Sequence, residues 1–491
     1  MDTPHRPPHS ALQPRRSSQD TSARSPLRWL LLCTAASAST IPSAAAAAAA
    51  PASAGLVNDL LRKESAGAVA WDLGGQFRTR FESKQEAGSF PNRDFLDGLA
   101  NSNDYLLFRT KVHLGYTPNP WIQVYAEGRD SHSLGDERAV SETDAFDLHQ
   151  AFVRIGDLSA FPLQAQVGRL ELLYGDERYV GISDWSNTGR SFDAARLRFE
   201  KEGIRVDALG GRQVVPRDGH FNRVNDYDWI TGIYASSRRW TEFQDTELFA
   251  FSRSVASGSP TAFTPSLGGP TARDVVTVGT RWKSVPGKLG PWDYTFEGAA
   301  QFGSLNAVGG RLEHRGYAVN ASGGYSWSKA WAAPRLGVGY DFGSGDGDPT
   351  DGENHTVELL YGTNHKLYGL ADLFGMRNLH IPRMNATVKP SKDLNVTVEW
   401  LGYWMVETSD FLYPESSGPR AQNGYARHAD FDSFVAHEVD LLVNWKLSGW
   451  AQVQAAYAHV FAGNYLEQSA ASAGRDARGA DWFSLQAVFH F

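Results

Sequence analysis

From residue 70 onward, apolar and polar side chains alternate along the chain with a period of two, the pattern of an extended strand with one apolar face. The first such segment, WDLGGQFRTRF, places Trp71, Leu73, Phe77 and Phe81 on one face and polar residues on the other. The same alternation returns near the end of the sequence in HEVDLLVNWKL, at positions 437–447. The periodicity predicts β-strands throughout this part of the chain.

About eighteen such segments follow one another, each near the roughly ten residues that a tilted strand needs to cross a lipid bilayer. Their predicted bounds are 70–82, 104–116, 120–130, 147–156, 162–170, 192–200, 203–212, 227–237, 244–253, 274–283, 291–303, 315–328, 334–342, 379–389, 393–405, 434–447, 450–461 and 482–491.

The connections between these segments alternate in length. They are long after most odd-numbered segments, as at 171–191 and 343–378, and short after several even-numbered ones, as at Thr117–Asn119 and Ser448–Gly449. Long loops at one rim and tight turns at the other are typical of transmembrane β-barrels. We therefore predict an all-β fold, an antiparallel transmembrane barrel with long extracellular loops and short periplasmic turns. A soluble β-sandwich would also alternate, but it would not explain the regular strand length and the loop pattern together.

A closed barrel also meets the physical demand of the bilayer, where every backbone N–H and C=O must be hydrogen-bonded within the protein. Apolar side chains would then contact lipid, and polar ones would line a water-filled lumen. The last segment, DWFSLQAVFHF, fits a closing strand that pairs with the first. Tryptophans near the predicted strand ends fit an aromatic girdle: Trp71, Trp121, Trp282, Trp292, Trp327, Trp400, Trp445 and Trp450.

The first fifty residues differ in kind from the rest. Arginines precede a short apolar stretch at Trp29–Ala38, and small residues continue from there to Ala54. This order is typical of a secretory signal peptide. We predict a signal peptide over 1–50, with cleavage between about Ala44 and Ala54, followed by a barrel over 66–491. A single membrane anchor is the alternative, but the apolar stretch is short.

Composition narrows the class of protein further. The 491 residues are 42% apolar and 21% charged, with a net charge of -8, which excludes a disordered chain and gives no reason to expect a nucleic-acid partner. Cys33 is the one cysteine, and it lies in the predicted signal peptide, so no disulfide framework is possible within one chain. The sequence contains no GxSxG, HExxH or Walker motif, so we expect no enzyme.

Strand parity predicts which charged residues face the lumen. The lumen face of the first seven segments is rich in arginine, whose planar guanidinium suits carboxylates and stays charged at any relevant pH. We expect this basic stripe to bind anionic substrates and set the selectivity of a channel. The alternative is that these charges pair across strands and fill the interior. The basic residues are Arg78, Arg80, Arg109, Lys111, Arg129, Arg154, Arg196, Arg198 and Arg205.

Two stretches carry a resemblance to a known family. AFVRIGDLSAFPLQAQVGRLELLYGDERYVGISDWSNTGRSFDAARLRF and YDFGSGDGDPTDGENHTVELLYGTNHKLYGLADLFGMRNL resemble the alginate-export family of outer-membrane barrels. The first contains the pattern VGRLEL-YGD-R--G---W-N-GRSFD, in which Arg169 and Arg190 match the family motif. Strict parity points Arg169 away from the lumen. A β-bulge at Gly168 would turn it inward, so we count Arg169 among the predicted substrate-binding residues.

The resemblance implies an eighteen-stranded pore in the bacterial outer membrane that passes anionic, alginate-like polyuronate through an arginine-rich lumen. The expected partners are outer-membrane lipid, anionic polysaccharide or small anions, and the barrel assembly machinery. Members that secrete alginate close the lumen with long loops at both rims, whereas all the periplasmic turns predicted here are short. Two alternatives remain open: an uptake porin for small carboxylates, and a barrel-embedded lipid hydrolase.

One loop offers candidate metal ligands. The stretch GSGDGDPTDGEN contains Asp346, Asp348 and Asp351, whose oxygens could bind Ca²⁺ in an extracellular loop. The spacing is one residue away from that of an EF-hand loop, and a solvated turn explains it better. We expect no other cofactor.

Overall fold

The computed structural model describes residues 55–64, 70–138, 142–256, 263–264, 269–270, 272–307, 310–415 and 418–491. The predicted signal peptide at 1–50, with its Cys33, lies outside the described residues, so that expectation stays a prediction.

Eighteen antiparallel strands form a closed barrel, as the alternation predicts. They are β1 (Trp71–Gln85), β2 (Asn103–Asn119), β3 (Ile122–Leu134), β4 (Asp144–Ile155), β5 (Leu163–Leu170), β6 (Phe192–Lys201), β7 (Ile204–Val215), β8 (Arg223–Ser237), β9 (Gln244–Val255), β10 (Arg273–Ser284), β11 (Trp292–Ala307), β12 (Gly310–Ser326), β13 (Arg335–Gly343), β14 (Leu379–Ser391), β15 (Leu394–Met405), β16 (Phe434–Lys446), β17 (Ala451–Ala462) and β18 (Ala480–His490).

Short elements decorate the loops. Glu353–Asn354 adds a two-residue parallel strand beside β12, and Phe263–Thr264 pairs with Gly269–Pro270. Helix α1 spans Leu56–Glu64, and helix α2 spans Asn464–Ser472 in the last outer loop. A 3-10 helix occupies Pro91–Arg93. No helix among the described residues has the length and apolar character needed to cross a membrane.

The barrel closes between its first and last strands. In β1, Phe77 pairs with Phe489 of β18, and the register runs on to Gln85 opposite Asp481. One residue beyond β18, Phe491 exchanges two backbone hydrogen bonds with Gly75. No strand edge is left open at this seam, so the backbone is satisfied within the sheet. This confirms the prediction for DWFSLQAVFHF.

Side chains divide between the two faces of the wall as parity requires. In β1, Phe77 and Phe81 are 40% and 38% exposed, whereas Arg78 and Arg80 are 3% and 1% exposed. Hydrocarbon contacts the first pair, and the interior holds the second. Six of the eight tryptophans of the predicted girdle are large exposed apolar side chains: Trp71, Trp121, Trp282, Trp292, Trp327 and Trp445.

Two outer loops fold into the barrel instead of standing at its rim. The first inward loop, residues 171–191, follows β5, and the second inward loop, residues 344–378, follows β13. They contribute to two buried apolar clusters, one containing Phe374 and Met376 and the other Leu172 and Tyr361. Each Å² of apolar surface that these side chains remove from water stabilises the folded loops by about 25 cal/mol. This burial holds the loops inside the wall. The sequence predicts both as long loops but not their direction.

Candidate functional site

Three of the predicted lumen arginines donate hydrogen bonds to the backbone of the first inward loop and hold it against the wall. Arg78 donates to the carbonyl of Asp184 at 2.6 Å and to that of Ser186 at 3.0 Å. Arg109 also donates to the Asp184 carbonyl, at 3.0 Å. Arg80 donates to the carbonyl of Trp185 at 2.6 Å. These guanidiniums lie in the interior, but loop carbonyls occupy much of their hydrogen-bonding capacity.

The carboxylate of Asp184 completes this contact. It lies 2.9 Å from Arg109 Nη2 and 3.9 Å from Lys111 Nζ. Burial alone would raise the pKa of Asp184, but the charges of Arg109, Lys111 and Arg78 outweigh it and hold the pKa below its ordinary value. Asp184 therefore stays ionised and partly neutralises the arginine cluster on β1 and β2.

The opposite end of the same loop reaches the far wall. Asp176 lies 2.6 Å from Arg281 and 2.9 Å from Lys283, both on β10. Burial alone would raise the pKa of Asp176. The charges of Arg281 and Lys283 outweigh it and lower this pKa to about 2. Since residues 184–187 are bound at β1 and β2, the first inward loop spans the lumen from one wall to the other.

Arg178 joins this loop to the far wall and to the second inward loop at once. Its guanidinium lies 3.3 Å from Asp341 on β13 and 3.4 Å from Glu297 on β11. It also donates to the hydroxyl of Tyr368 at 3.0 Å. Burial alone would lower the pKa of Arg178, but Tyr368, Asp341 and Glu297 reverse the shift. The guanidinium therefore remains a cation at the meeting point of three elements.

Backbone carbonyls of the second inward loop accept hydrogen bonds from two further arginines. Arg253 of β9 donates to the carbonyls of Leu359 and Leu360 at 3.1 and 2.9 Å. Arg190 of the first loop donates to the carbonyls of Tyr361 and Gly362. Burial, reinforced by Arg253, lowers the pKa of Arg190 to about 10. The two motif-bearing stretches of the sequence are therefore bound to each other inside the barrel.

The tip of the second loop contacts a pair of acidic side chains on β16. Ala371 N–H donates to Glu438 at 3.0 Å, and Leu370 N–H donates to Asp440 at 3.1 Å. The hydroxyl of Tyr403 donates to Glu438 at 2.8 Å. Both acids are buried, at 1% and 3% exposure. The two carboxylates accept hydrogen bonds from backbone N–H groups of the loop, as the carboxylate of a helix N-cap residue does.

Lys111 and Arg129 belong to a mixed network on β2, β3 and β4. Lys111 Nζ lies 3.3 Å from Glu171 and 3.6 Å from Glu127, while Arg129 lies 2.8 Å from His149 Nδ1. Within the described residues, Glu127, His149 and Glu171 form the one trio of possible metal ligands, with ligand atoms within 4.8 Å of one another. The ammonium of Lys111 contacts both carboxylates, so part of their negative charge is already balanced without a metal ion.

The remaining predicted arginines form a patch at the periplasmic end of β4 to β7. Arg154 lies opposite Gln166, which lies opposite Arg196, so the three form one row across neighbouring strands. Arg196 donates to the side chain of Gln166. Arg198 pairs with Asp207 at 2.7 Å. The fourth member, Arg205, is the second residue of β7 and lies opposite Glu200.

The first inward loop contacts this basic patch through a side chain, since the Tyr174 hydroxyl donates to Asp207 at 3.2 Å. The charged groups that bear on Arg154 are two other arginines, Arg196 and Arg198. All four arginines of the patch are half-buried. Four cations in the patch, Arg154, Arg196, Arg198 and Arg205, face two acids, Asp207 and Glu200, which leaves a net positive charge.

The structure corrects the prediction for Arg169. β5 pairs with both neighbours without a register shift at Gly168, so the bulge that would turn Arg169 inward is not formed. Arg169 stays on the outward face, where it pairs with Asp193 at 2.8 Å and its guanidinium lies over the ring of Phe221. A cross-strand partner and an overlying loop shield the charge, which explains how an outward arginine is tolerated.

The predicted calcium ligands do not converge either. Asp348 accepts from the Thr350 N–H at 3.0 Å, and Asp351 accepts from the Glu353 N–H at 2.8 Å. Both are exposed, whereas Asp346 is buried beside Asp410. The three aspartates are absent from the metal-ligand group found among the described residues. The Gly-rich stretch is a set of capped turns, which was the alternative reading of its sequence.

Some residues that hold the inward loops escaped the sequence argument. Asp176, Arg178 and Trp185 lie within the pattern YGD-R--G---W, but the sequence places them only in a long connection. The signal that could have found them is the density of glycine, aromatic and charged residues there. Such a loop has the composition to pack and to form ion pairs, unlike a solvated surface loop.

Comparisons with known proteins agree with the fold. The alginate export family model matches residues 69–480. Among solved structures, OccAB1 of Acinetobacter baumannii has a TM-score of 0.54 at 10% identity, covering 86% of this chain and 96% of that one. OccD3 (OpdP) of Pseudomonas aeruginosa has a TM-score of 0.52 at 10% identity, with 86% and 91% covered.

OpdK of Pseudomonas aeruginosa, whose crystal structure is described with vanillate, has a TM-score of 0.52 at 11% identity, with 86% and 98% covered. No curated protein matches the chain at a significant level. The structural likeness concerns the barrel itself, and the family match covers nearly all of it. The chain therefore belongs to the alginate export family, and it is a porin-type β-barrel of the bacterial outer membrane.

Proposed function

We propose that this barrel conducts anions and that its substrates carry carboxylate groups. The observation that supports this proposal is the basic patch of Arg154, Arg196, Arg198 and Arg205 on the barrel wall, where four cations face two acids. A guanidinium offers two parallel N–H donors to a carboxylate. In a narrow bore with low-dielectric walls, such a patch raises the local concentration of anions.

The finer identity of the substrate has two candidates. The family match supports an anionic polysaccharide of the alginate type. The second candidate is a small carboxylate, which the narrow interior favours: the first inward loop spans the lumen, and Arg178 and Arg190 bind it to the second. An extended polymer chain needs a continuous passage past both loops, whereas a small acid needs only a gap between them.

Planar-bilayer recording tests the proposal. Reversal potentials in a salt gradient should show a higher permeability for chloride than for potassium. Polyuronate and a small aromatic carboxylate are then titrated separately on each side. Concentration-dependent block by the polymer supports polysaccharide transport, and block by the small acid alone supports the porin alternative. Preference for potassium would contradict the anion channel altogether.

A matched pair of variants assigns the effect to the patch. Arg154→Gln with Arg196→Gln removes two lumen charges. Arg315→Gln removes one charge from a 56% exposed side chain that pairs with Glu313 outside the patch. The first variant should lose anion preference and the second should keep it.

A further inference from the structure

Two arginines lie close together on the lipid-facing surface of the barrel. Arg169 of β5 lies opposite Asp193 of β6, which lies opposite Arg212 of β7. Trp229 of β8 follows on the other side of Arg212. These four side chains cross neighbouring strands at one height, and we call them the outer row.

Arg212 faces away from the lumen, near the extracellular edge of the bilayer. Its parity along β7 is that of Ala208, which is exposed, and opposite to that of Asp207, which is fully buried in the interior. Arg212 lies eight positions beyond Ile204, the periplasmic start of β7. At about 3.3 Å per residue and a tilt of about 40°, this separation spans roughly 20 Å of an apolar band that is about 25 Å tall. The outer row therefore lies near the headgroups of the outer leaflet, where the exposed Trp229 fits an interfacial aromatic side chain.

The charge of Arg169 is compensated within the protein, whereas that of Arg212 is not. Arg169 donates to Asp193 from Nε at 2.8 Å and from Nη2 at 3.3 Å. The described part of the chain gives the guanidinium of Arg212 neither an ion pair nor a hydrogen bond. This guanidinium lies over the ring of Trp229, 4.5 Å from the centroid. The outer row therefore carries one net positive charge at the membrane boundary.

An arginine without an anionic partner is unfavourable at a hydrocarbon surface, and arginines in membrane proteins normally pair. Arg315 of β12 follows this rule. It lies opposite the exposed Phe302 and pairs with Glu313 at 2.7 Å and Glu353 at 3.5 Å. Arg212 lacks such acids, so an anion of the surrounding membrane can compensate its charge.

The wall is shallow directly below the outer row, on the side of the membrane core. Ala195 lies opposite Gly210, and Gly210 lies opposite Thr231. A Cβ on Gly210 would meet only the Thr231 methyl at 3.6 Å and the Ile230 carbonyl oxygen at 4.0 Å. Beside these small residues, Val167 projects from the wall and is 57% exposed. A hydrocarbon chain can therefore approach the sheet closely just below the cation.

We propose that the outer row binds a phosphorylated glycolipid of the outer leaflet. The guanidinium of Arg212 donates to a phosphate of the lipid, because its planar fork matches phosphate oxygens. One acyl chain lies on the shallow surface around Gly210. Phosphorylated glycolipid is the main lipid of the outer leaflet of bacterial outer membranes, and its phosphates lie at the height of the outer row. Charge and height therefore favour it over the zwitterionic phospholipids of the inner leaflet.

Native mass spectrometry of the full barrel, purified in detergent, tests the role of the phosphate. Bisphosphorylated lipid A is titrated onto the protein, and the same lipid stripped of its phosphates is the matched ligand. The phosphorylated lipid should bind at least roughly tenfold more tightly, as expected for one charge-assisted contact. Equal binding of the two lipids, or complete displacement by millimolar inorganic phosphate, would overturn a glycolipid site. Tighter binding of phosphatidylethanolamine than of lipid A would overturn it as well.

A matched pair of variants assigns the phosphate contact to Arg212. Arg212→Gln should weaken the binding of bisphosphorylated lipid A by roughly tenfold. Arg212→Lys keeps the charge and should recover most of the affinity. Arg315→Gln, which removes an outward arginine that already has two acidic partners, should bind as the wild type does. Wild-type affinity in Arg212→Gln would contradict the proposal.

A further variant tests the position of the acyl chain. Gly210→Leu should fill the shallow surface and weaken lipid A binding, while heat-modifiable gel mobility shows that the barrel still folds. Ala235→Leu is the control, because Ala235 faces outward opposite Val206, nearer the periplasmic end of β8. If Gly210→Leu bound lipid A as tightly as Ala235→Leu, no acyl chain would lie against Gly210.

Discussion

The ring of Trp185 stacks on the imidazole of His365, with ring centroids 3.6 Å apart and planes 8° from parallel. The guanidinium of Arg80 covers the other face of Trp185 at 3.7 Å from the ring centroid. One aromatic side chain thus joins the barrel wall to both inward loops. Asp372 binds the imidazole at 2.6 Å, which fixes the orientation of the stack.

Trp185→Ala should loosen the attachment of the inward loops to the wall and to each other, because it removes the ring that contacts Arg80 and His365. We expect a larger and noisier single-channel conductance in planar bilayers, together with a lower temperature of heat-induced gel mobility shift. Trp331→Ala is the control, since that side chain is 84% exposed at a periplasmic turn. Unchanged conductance would mean that the two loops do not limit the current.

Arg154→Gln with Arg196→Gln should reduce anion selectivity. A charge about 4 Å from a passing anion contributes about 1 kcal/mol in water. The anion permeability should therefore fall by roughly fivefold for each charge removed, and the ratio of anion to cation permeability should fall by more, because the same charge repels cations. Reversal potentials measured across a tenfold salt gradient report this ratio. A double variant as selective as the wild type would remove the basic patch from the transport pathway.

Arg178→Leu should destabilise the barrel interior strongly. The substitution removes the cation that pairs with Glu297, whereas Asp341 keeps Arg383 at 3.2 Å. Breaking a buried ion pair typically costs about 3–5 kcal/mol. Urea titration of the heat-modifiable band should show the loss. Arg178→Lys retains the charge and should recover part of the stability. If both variants were as stable as the wild type, Arg178 would not join the loops.

Asp346 should make the stability of the outer loops depend on pH. Burial, and then the neighbouring charge of Asp410, raises the pKa of Asp346 to about 6. The folded protein therefore keeps a proton that the unfolded chain loses between about pH 4 and 6, so stability falls as the pH rises through that range.

Asp346→Asn removes this dependence. The variant should melt at a higher temperature than the wild type at pH 7.5 and at a similar temperature at pH 4.5, as heat-modified gel mobility would show. Asp348→Asn is the matched control, because Asp348 is an exposed aspartate of the same loop that accepts from Thr350. Identical melting of wild type and Asp346→Asn at pH 7.5 would contradict the raised pKa.

The sequence by itself determined the barrel, the eighteen strands and the face that each side chain occupies. Alternation is a local property, since successive side chains in a strand must point to opposite sides. Arg78 and Arg80 could therefore be assigned to the interior, and Phe77 and Phe81 to lipid, from their positions alone. Where parity was set aside, at Arg169, the prediction was wrong and the simple alternation was right.

Only the tertiary structure decided what the interior arginines contact. Arg78 donates to a residue 106 positions further along the chain, and Arg253 to one 106 positions away. Such contacts depend on how a loop folds across the lumen, which no local periodicity encodes. They divide one basic stripe into arginines that hold the inward loops, such as Arg78, and arginines that contact side chains of the wall, such as Arg196 and Arg198. The physical reason is that a guanidinium satisfied by backbone carbonyls has few donors left for a substrate.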